Sequence, residues 1–79
     1  MKPGIGLGEA ATVFVDPLAR IFADVAHSSE EHREIIIGHS SSNRLLLVCF
    51  TERNHMIRII SARKVTKKER TDYEENTLD

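Results

Sequence analysis

The sequence predicts an α+β domain, in which a four-stranded antiparallel β-meander is flanked by an N-terminal and a C-terminal helix. Three observations support this fold class. Apolar residues recur at helical spacing near the start, β-branched and apolar runs alternate with polar turns in the middle, and a capping box opens the last segment. The chain of 79 residues is long enough for one domain, 1–79, with a thin core.

The first helix is predicted from an apolar stripe. Four residues fall at positions i, i+3, i+4 and i+7: Leu7, Ala10, Ala11 and Phe14. Before it, residues 1–8 hold three of the four glycines and are expected to form an irregular lead-in. Asp16 precedes Pro17, and a residue before proline is pushed out of the helical region, so the helix should end there.

Four strands are predicted between the helices, at 18–24, 33–38, 44–51 and 56–62. The second contains the β-branched run 35–37, which favours strand. The third is almost entirely apolar, as in a strand covered on both faces, and is expected at the centre of the sheet. The connections are a turn at 26–32, a polar hairpin loop at 39–43 and a tight turn at 52–55.

The last helix is predicted from the spacing of Thr66 and Glu69, which is that of a capping box. The helix should run through Tyr73 and fray within the acidic tail, residues 75–79.

The net charge of −1 hides a strong asymmetry along the chain. Residues 44–70 carry eight Lys and Arg against two acids, whereas 1–43 and 71–79 are both acidic. Such a basic block attracts phosphate groups. The alternative is a solvated basic face over which the protein's own acidic tail folds.

Composition also excludes several classes of protein. Cys49 is the single cysteine, so an internal disulfide is excluded, and its apolar neighbours favour a buried, unreactive thiol. No stretch approaches the roughly 20 apolar residues that cross a bilayer, and the N-terminus lacks the apolar core of a signal peptide. We therefore expect a soluble protein of the reducing cytoplasm.

Two arginines lie in the predicted fourth strand or at its end. Arg58 is flanked by apolar residues, and its guanidinium could bind a phosphate bidentately or pair with Glu52 across the hairpin. Arg63 is five residues further on, so in a regular strand the two side chains point to opposite faces. They can serve one site only if a bulge intervenes or the strand ends near Ser61.

A histidine and an arginine bracket the loop before the second strand. His27, close to Glu31, could act as a general acid or base near neutral pH, and Arg33 follows. The alternative is an exposed loop histidine with no catalytic task. The four histidines match no zinc-binding spacing, so we expect neither a catalytic metal nor another cofactor.

Four cations cluster around the start of the last helix: Lys64, Lys67, Lys68 and Arg70. Cations at a helix N-terminus oppose the helix dipole, so local stability does not explain them. They either bind phosphate or form a solvated face.

The sequence resembles the BrnT family of bacterial toxins over residues 9–75. The motifs that carry the resemblance are EAATVFVDPLA from Glu9, D-x-x-H-S at 24–28, E-x-R at 31–33, and RIISAR followed by KKER and a tyrosine at 58–73. The resemblance implies a RelE-like fold and a metal-independent ribonuclease that blocks translation by cutting RNA. It also implies a BrnA-like antitoxin as partner.

The resemblance further implies a site. Catalytic roles would fall on His27, Arg33, Arg58 and Arg63, and RNA binding on Arg53, Lys64, Lys67, Lys68 and Arg70. His27 would transfer protons, Arg58 and Arg63 would bind the phosphate, and Arg33 would help to orient it.

The chain departs from the family at its beginning. Members usually open with a strand and a helix, where this chain has residues 1–8. The resemblance therefore implies an exposed sheet edge and self-association through it. Two other functions stay open: a catalytically inactive, shortened toxin that still binds an antitoxin or nucleic acid, and a nucleic-acid-binding module without catalysis.

Overall fold

The computed structural model of the chain describes residues 5–23 and 32–78. Its elements are α1 (Leu7–Thr12), a 3-10 turn (Val13–Val15), β1 (Arg20–Ala23), β2 (Arg33–His39), β3 (Leu45–Arg53), β4 (Met56–Lys64) and α2 (Lys67–Leu78). The strands form one antiparallel sheet in the order β1-β2-β3-β4. The predicted α+β fold, a meander with a helix before it and a helix after it, is confirmed.

Two turns move the strand ends away from their predicted places. After α1, the Asp16 carboxylate accepts a hydrogen bond of 3.0 Å from the backbone N–H of Leu18, which delays β1 to Arg20. Between β3 and β4 the turn narrows to Asn54 and His55, whose φ angles of 53° and 65° are those of a two-residue hairpin turn. β3 therefore extends to Arg53, whereas β4 begins at Met56 as predicted and gains its extra residues at its far end, up to Lys64.

The apolar stripe predicted for α1 is only half right, since Ala10 and Phe14 pack in or against the core but Leu7 and Ala11 do not. Ala10 and Val13 are fully buried, whereas Leu7 is 57% exposed and Ala11 is also exposed. The α-helix stops at Thr12 and a 3-10 turn follows, so the period of 3.6 residues on which the stripe depends does not continue. The predicted end of the helix is confirmed, because Asp16 has extended backbone angles.

β3 lies inside the sheet, and its side chains alternate between two apolar clusters. One cluster contains Ile5, Ala10, Val13, Ile36, Leu46, Val48, Phe50 and Ala62. The other contains Ile37, Leu45, Leu47 and Tyr73. We call these sides of the sheet the α1 face and the α2 face. Residues 45–51 are all buried, as expected for a strand that is covered on both faces.

Polar contacts hold α1 against the loop between β2 and β3. A Glu9 carboxylate oxygen accepts hydrogen bonds from Ser40 Oγ at 2.6 Å and Arg44 Nε at 2.9 Å, and the Glu9 carboxylate also pairs with Arg44 Nη2. The bonds from Arg44 and Ser40 lower the pKa of Glu9 to about 2. Thr12 Oγ1 accepts a bond of 2.8 Å from the backbone of Ser41. We call this set of contacts the α1 clamp.

The capping box before α2 is confirmed. Glu69 Oε1 accepts from the backbone N–H of Thr66 at 2.8 Å, and Thr66 Oγ1 accepts from the backbone N–H of Glu69 at 3.1 Å. The helix then continues to Leu78, beyond the predicted Tyr73. Tyr73 is buried and its hydroxyl donates to the Leu18 carbonyl at 3.1 Å, which ties α2 to the turn before β1.

Candidate functional site

A bulge in β4 determines which face its arginines occupy. Cys49 of β3 pairs with Ser61, but the next residue, Phe50, pairs with Ile59, so Ile60 is an extra residue in the ladder. Residues directly opposite each other point to the same face of a sheet. The extra residue therefore reverses the alternation of side chains between the two halves of β4.

Because of this bulge, Arg58 and Arg63 lie on the same face. Arg58 pairs with Thr51 and Arg63 pairs with Leu47, and these two β3 residues both belong to the α2 face. A bulge or an end of the strand near Ser61 would each let both arginines serve one site, and the structure contains the bulge. The strand itself continues to Lys64.

Arg33 joins the same face from β2. It also pairs with Thr51, so Arg33, Thr51 and Arg58 form one row across three strands. Arg63 lies four residues along β3 from this row, about 13 Å away at roughly 3.3 Å per residue. Long side chains at that spacing can close on a group that lies between them.

An open groove of about 330 Å³ lies between the row and Arg63. It is lined by Arg33, Ile35, Leu47, Cys49, Ile60, Ser61, Arg63 and Glu69. Its floor is apolar and its rim is charged. The groove exists because α2 does not cover the α2 face over the first residues of β2, where Arg33 and Ile35 are only partly buried.

The Arg58 side chain is exposed and makes no hydrogen bond or ion pair with any residue that the structure describes. The predicted alternative, a pair with Glu52, is not formed. Glu52 pairs with Ile57 in the ladder, and therefore lies on the opposite face from Arg58. All of the donors on the Arg58 guanidinium are therefore available to a ligand that enters from solvent.

Arg63 is held by a bidentate ion pair. Its Nη1 donates to Glu69 Oε1 and its Nη2 to Glu69 Oε2, both at 2.8 Å, while Nη1 also donates to the Lys64 carbonyl at 3.1 Å. The hydrogen bonds from Arg63 lower the pKa of Glu69 to about 2, and the same pair raises the pKa of Arg63. The capping box locates Glu69 in the sequence, but nothing in the sequence indicates this pair.

The five predicted RNA-binding cations do not all lie together. Arg53 is exposed at the end of β3, on the α2 face, and pairs with Met56. Lys67, Lys68 and Arg70 are exposed on the first turn of α2. Lys64 differs, since it pairs with Leu46 and lies on the α1 face, where its charge helps to lower the pKa of Glu9.

His27 and Glu31 lie outside the described residues, as does the motif at 24–28. In the ranges 5–23 and 32–78, no three His, Cys, Asp or Glu side chains are grouped so that they could hold a metal ion. Cys49, the single cysteine of the chain, is buried and lines the groove. In the same part of the chain, no helix is long and apolar enough to cross a membrane.

A family model described as "Ribonuclease toxin, BrnT, of type II toxin-antitoxin system" matches residues 1–69. The match covers most of the chain, including the α1 clamp, all four strands and the capping-box residues of α2. Among curated proteins, none matches this sequence.

Proposed function

The chain belongs to the BrnT family of ribonuclease toxins of type II toxin–antitoxin systems, and we propose that it is a metal-independent endoribonuclease that inhibits translation by cutting RNA. The observation that carries this proposal is the placement of Arg33, Arg58 and Arg63 on one face of the sheet, where Arg33 and Arg63 line an open groove. Membership of the family implies an antitoxin as partner.

The reaction proposed is a transfer of the phosphodiester within the RNA. A base removes the proton of a 2′-hydroxyl, the 2′-oxygen forms a bond to the adjacent phosphorus, and the bond to the 5′-oxygen breaks. An acid protonates that leaving oxygen. His27 is the proposed proton carrier, since an imidazole can take and return a proton near neutral pH.

The arginines would act on the charge that develops at phosphorus. Arg63 would contact the phosphate from the groove and Arg58 from the same face of the sheet, while Arg33 would orient it from the row that it shares with Arg58. Guanidinium groups remain charged and present paired donors that match phosphate oxygens. Donors of this kind stabilise a pentacoordinate transition state more than they stabilise the bound ground state.

The RNA backbone would follow the cations around the groove. Arg53 at the end of β3 and the three cations of α2, Lys67, Lys68 and Arg70, are the proposed contacts on the α2 face. Lys64 lies on the α1 face, so it would contact only RNA that passes around the edge of β4. Since the substrate is RNA in the cell, we propose the cytoplasm as the place of action.

The test is incubation of the purified chain with RNA in the presence of EDTA. We expect cleavage by the wild type, and a loss of about 100- to 1,000-fold in Arg58→Ala, the range seen when one transition-state donor is removed. Arg58→Lys keeps the charge but not the paired donors, and should recover little of the activity.

The control is the midpoint of thermal unfolding. Arg58 has no described partner to lose, so Arg58→Ala should unfold at the wild-type temperature, and its lost activity cannot come from unfolding. Intact RNA with the wild-type chain would contradict the proposal and favour the other function, an inactive toxin that binds an antitoxin. Unchanged cleavage by Arg58→Ala would exclude the assigned site.

A further inference from the structure

We propose that Glu69 is a positioning residue, which holds Arg63 by one pair of donors so that its other pair can bind an RNA phosphate. This inference rests on the proposed function, because it names how one of the phosphate-binding groups is aimed. Glu69 has no place in the site that the sequence predicts, and the structure alone brings it to the groove.

The argument begins with the donors of Arg63. A guanidinium has five N–H groups. Nη1 uses two of them, one to Glu69 and one to the Lys64 carbonyl, and Nη2 uses one to Glu69. The N–H of Nε and the second N–H of Nη2 remain, and these two lie side by side on one edge of the planar group. Arg63 thus keeps a complete donor pair.

That remaining pair is accessible. The Arg63 side chain is 52% exposed, and both Arg63 and Glu69 line the groove. The structure therefore presents a half-exposed arginine whose guanidinium is bound on one edge and keeps the donors of another. A phosphate with two oxygens fits such an edge in the same way as a carboxylate does.

Glu69 is itself fixed. Its Oε1 also accepts from the backbone N–H of Thr66, a bond that does not involve the threonine side chain, and the Glu69 side chain is only 26% exposed. The hydrogen bonds from Arg63 lower the pKa of the Glu69 carboxyl from 4.5 to about 2, so the carboxylate stays ionised in acid that would protonate an ordinary glutamate. A carboxylate anchored to the helix backbone removes the rotational freedom that a long arginine side chain would otherwise lose on binding.

The experiment compares Glu69→Gln with Thr66→Ala. Glutamine serves in a capping box as glutamate does, so Glu69→Gln keeps the bond from Thr66 N but places an amide N–H where Arg63 Nη2 needs an acceptor. Thr66→Ala removes the cap and leaves the Arg63–Glu69 pair. Only the first variant therefore breaks the bidentate pair, because Arg63 Nη2 loses its acceptor while Nη1 keeps its bonds to Oε1 and to the Lys64 carbonyl.

We expect Glu69→Gln to lower kcat for RNA cleavage by about 10- to 100-fold, the cost of misplacing a catalytic group by about an ångström. Because the variant also loses part of a folded-state ion pair, its unfolding midpoint should fall, so kcat is compared at a temperature at which both variants are folded. Thr66→Ala should lower the unfolding midpoint but keep the kcat of the folded protein. Equal losses of kcat in both variants would mean that Glu69 acts only as a helix cap. Stronger RNA binding by Glu69→Gln would mean that Glu69 keeps Arg63 from binding RNA. Either outcome overturns the proposal.

A second measurement separates this proposal from the proposed function. In ¹⁵N-labelled protein, the Nε–H signal of Arg63 is followed during titration with an oligonucleotide of 2′-deoxy sugars, which cannot be cleaved by this reaction. A shift of that signal in the wild type, lost in Glu69→Gln, supports the proposal even if the chain cleaves no RNA. An unmoved Arg63 signal, with shifts elsewhere in the protein, overturns it even if RNA is cleaved.

Discussion

Gly38 of β2 lies where the turn after α1 comes closest to the sheet. A Cβ atom at this position would lie 2.8 Å from Ala19 Cβ, 3.0 Å from Asp16 Oδ2 and 3.1 Å from Val13 Cγ1. The same Asp16 oxygen accepts a hydrogen bond of 2.7 Å from the backbone N–H of His39. The absence of a side chain at Gly38 is therefore what allows the turn to bond to the strand.

Replacement of Gly38 by alanine should lower the free energy of unfolding by about 1–3 kcal/mol, the usual cost of overpacking a core. The matched control is Gly8→Ala in α1, where the added Cβ meets nothing within 4 Å and should stabilise the helix by about 0.5–1 kcal/mol. Urea denaturation of both variants measures the difference. If Gly38→Ala were as stable as Gly8→Ala, the close approach of the turn after α1 to β2 at Gly38 would be contradicted.

At the scale of single residues, the sequence predicts which residues could bind phosphate better than it predicts the face of the sheet to which their side chains point. Arg58 and Arg63 can be selected from the sequence as candidate phosphate-binding residues. The extra residue Ile60 is what brings them to one face, and no local feature of an apolar run predicts a bulge there. Glu69 shows the same limit. Its capping role follows from its distance to Thr66, whereas its pair with Arg63 depends on how α2 returns to the end of β4.

The short helix α1 depends on the α1 clamp and on its buried side chains. It has six residues, too few for a helix to be stable alone in water. Glu9 contributes through its carboxylate, whose pKa in the folded protein is about 2 rather than the usual 4.5. Because the folded-state pKa is depressed, this stabilisation is complete above about pH 4.5 and is lost as the pH falls toward 2.

We therefore expect Glu9→Gln to be less stable than the wild type at neutral pH, and the difference between them to shrink as the pH falls from about 4.5 to 2. Chemical denaturation at several pH values measures both curves. Thr12→Val is the control, since it removes another bond of the α1 clamp but no titratable group, and its curve should run parallel to that of the wild type. A constant difference between wild type and Glu9→Gln would contradict the role of the charge.

The bulge in β4 gives a second prediction at the scale of elements. Deletion of Ile60 removes the extra residue but allows Ser61 to keep Cys49, and Ile59 to keep Phe50, as partners. Arg58 and Arg63 would then lie four residues apart in a regular strand, again on one face.

The deletion variant should fold and retain RNA cleavage within about tenfold of the wild type, because both strand registers survive. Circular dichroism and the cleavage rate are the measurements, with Arg58→Ala in the same background as the control. A folded deletion variant without activity would contradict this expectation. It would show that the bulge also sets the spacing of Arg58 and Arg63 that cleavage needs.

The elements themselves were largely predictable. β3 was placed by its apolar run and α2 by its capping box, because both signals are local. The stripe of α1 was only partly predictable, since the spacing of apolar residues does not indicate the change to a 3-10 turn at Val13, which is buried in one cluster with Ile36 and Leu46. The length of the β3–β4 hairpin depends on positive φ angles at Asn54 and His55, and histidine is not a usual signal for them.

For the molecule as a whole, the two faces of the sheet differ in how completely they are covered. The α1 face is closed by Ala10, Val13 and Phe14, the last of which packs edge-on against Phe50 with ring centroids 5.0 Å apart. On the α2 face, Tyr73 is the one side chain of α2, through residue 75, that is buried. The face that is left partly open is the one that carries the arginines, so incomplete coverage by α2 is what makes a site available.

The outer edge of β4 leads to the last prediction. This strand has nine residues and, in the part of the chain that the structure describes, no strand pairs with its outer side. Met56, Ile57 and Ile60 along it are 73%, 50% and 37% exposed. A long, apolar edge with free backbone donors and acceptors invites pairing with another strand, and a second copy of the chain offers the same edge.

We expect sedimentation velocity to show concentration-dependent dimers of the wild type, and the double variant Ile57→Lys with Ile60→Lys to be monomeric, since lysine on an edge strand opposes pairing. Val15→Lys is the control, because Val15 is 81% exposed but lies outside β4, and its association should match the wild type. A wild-type monomer at the highest concentration would refute pairing through this edge. Equal loss of dimer in Val15→Lys would point instead to association through the α1 side.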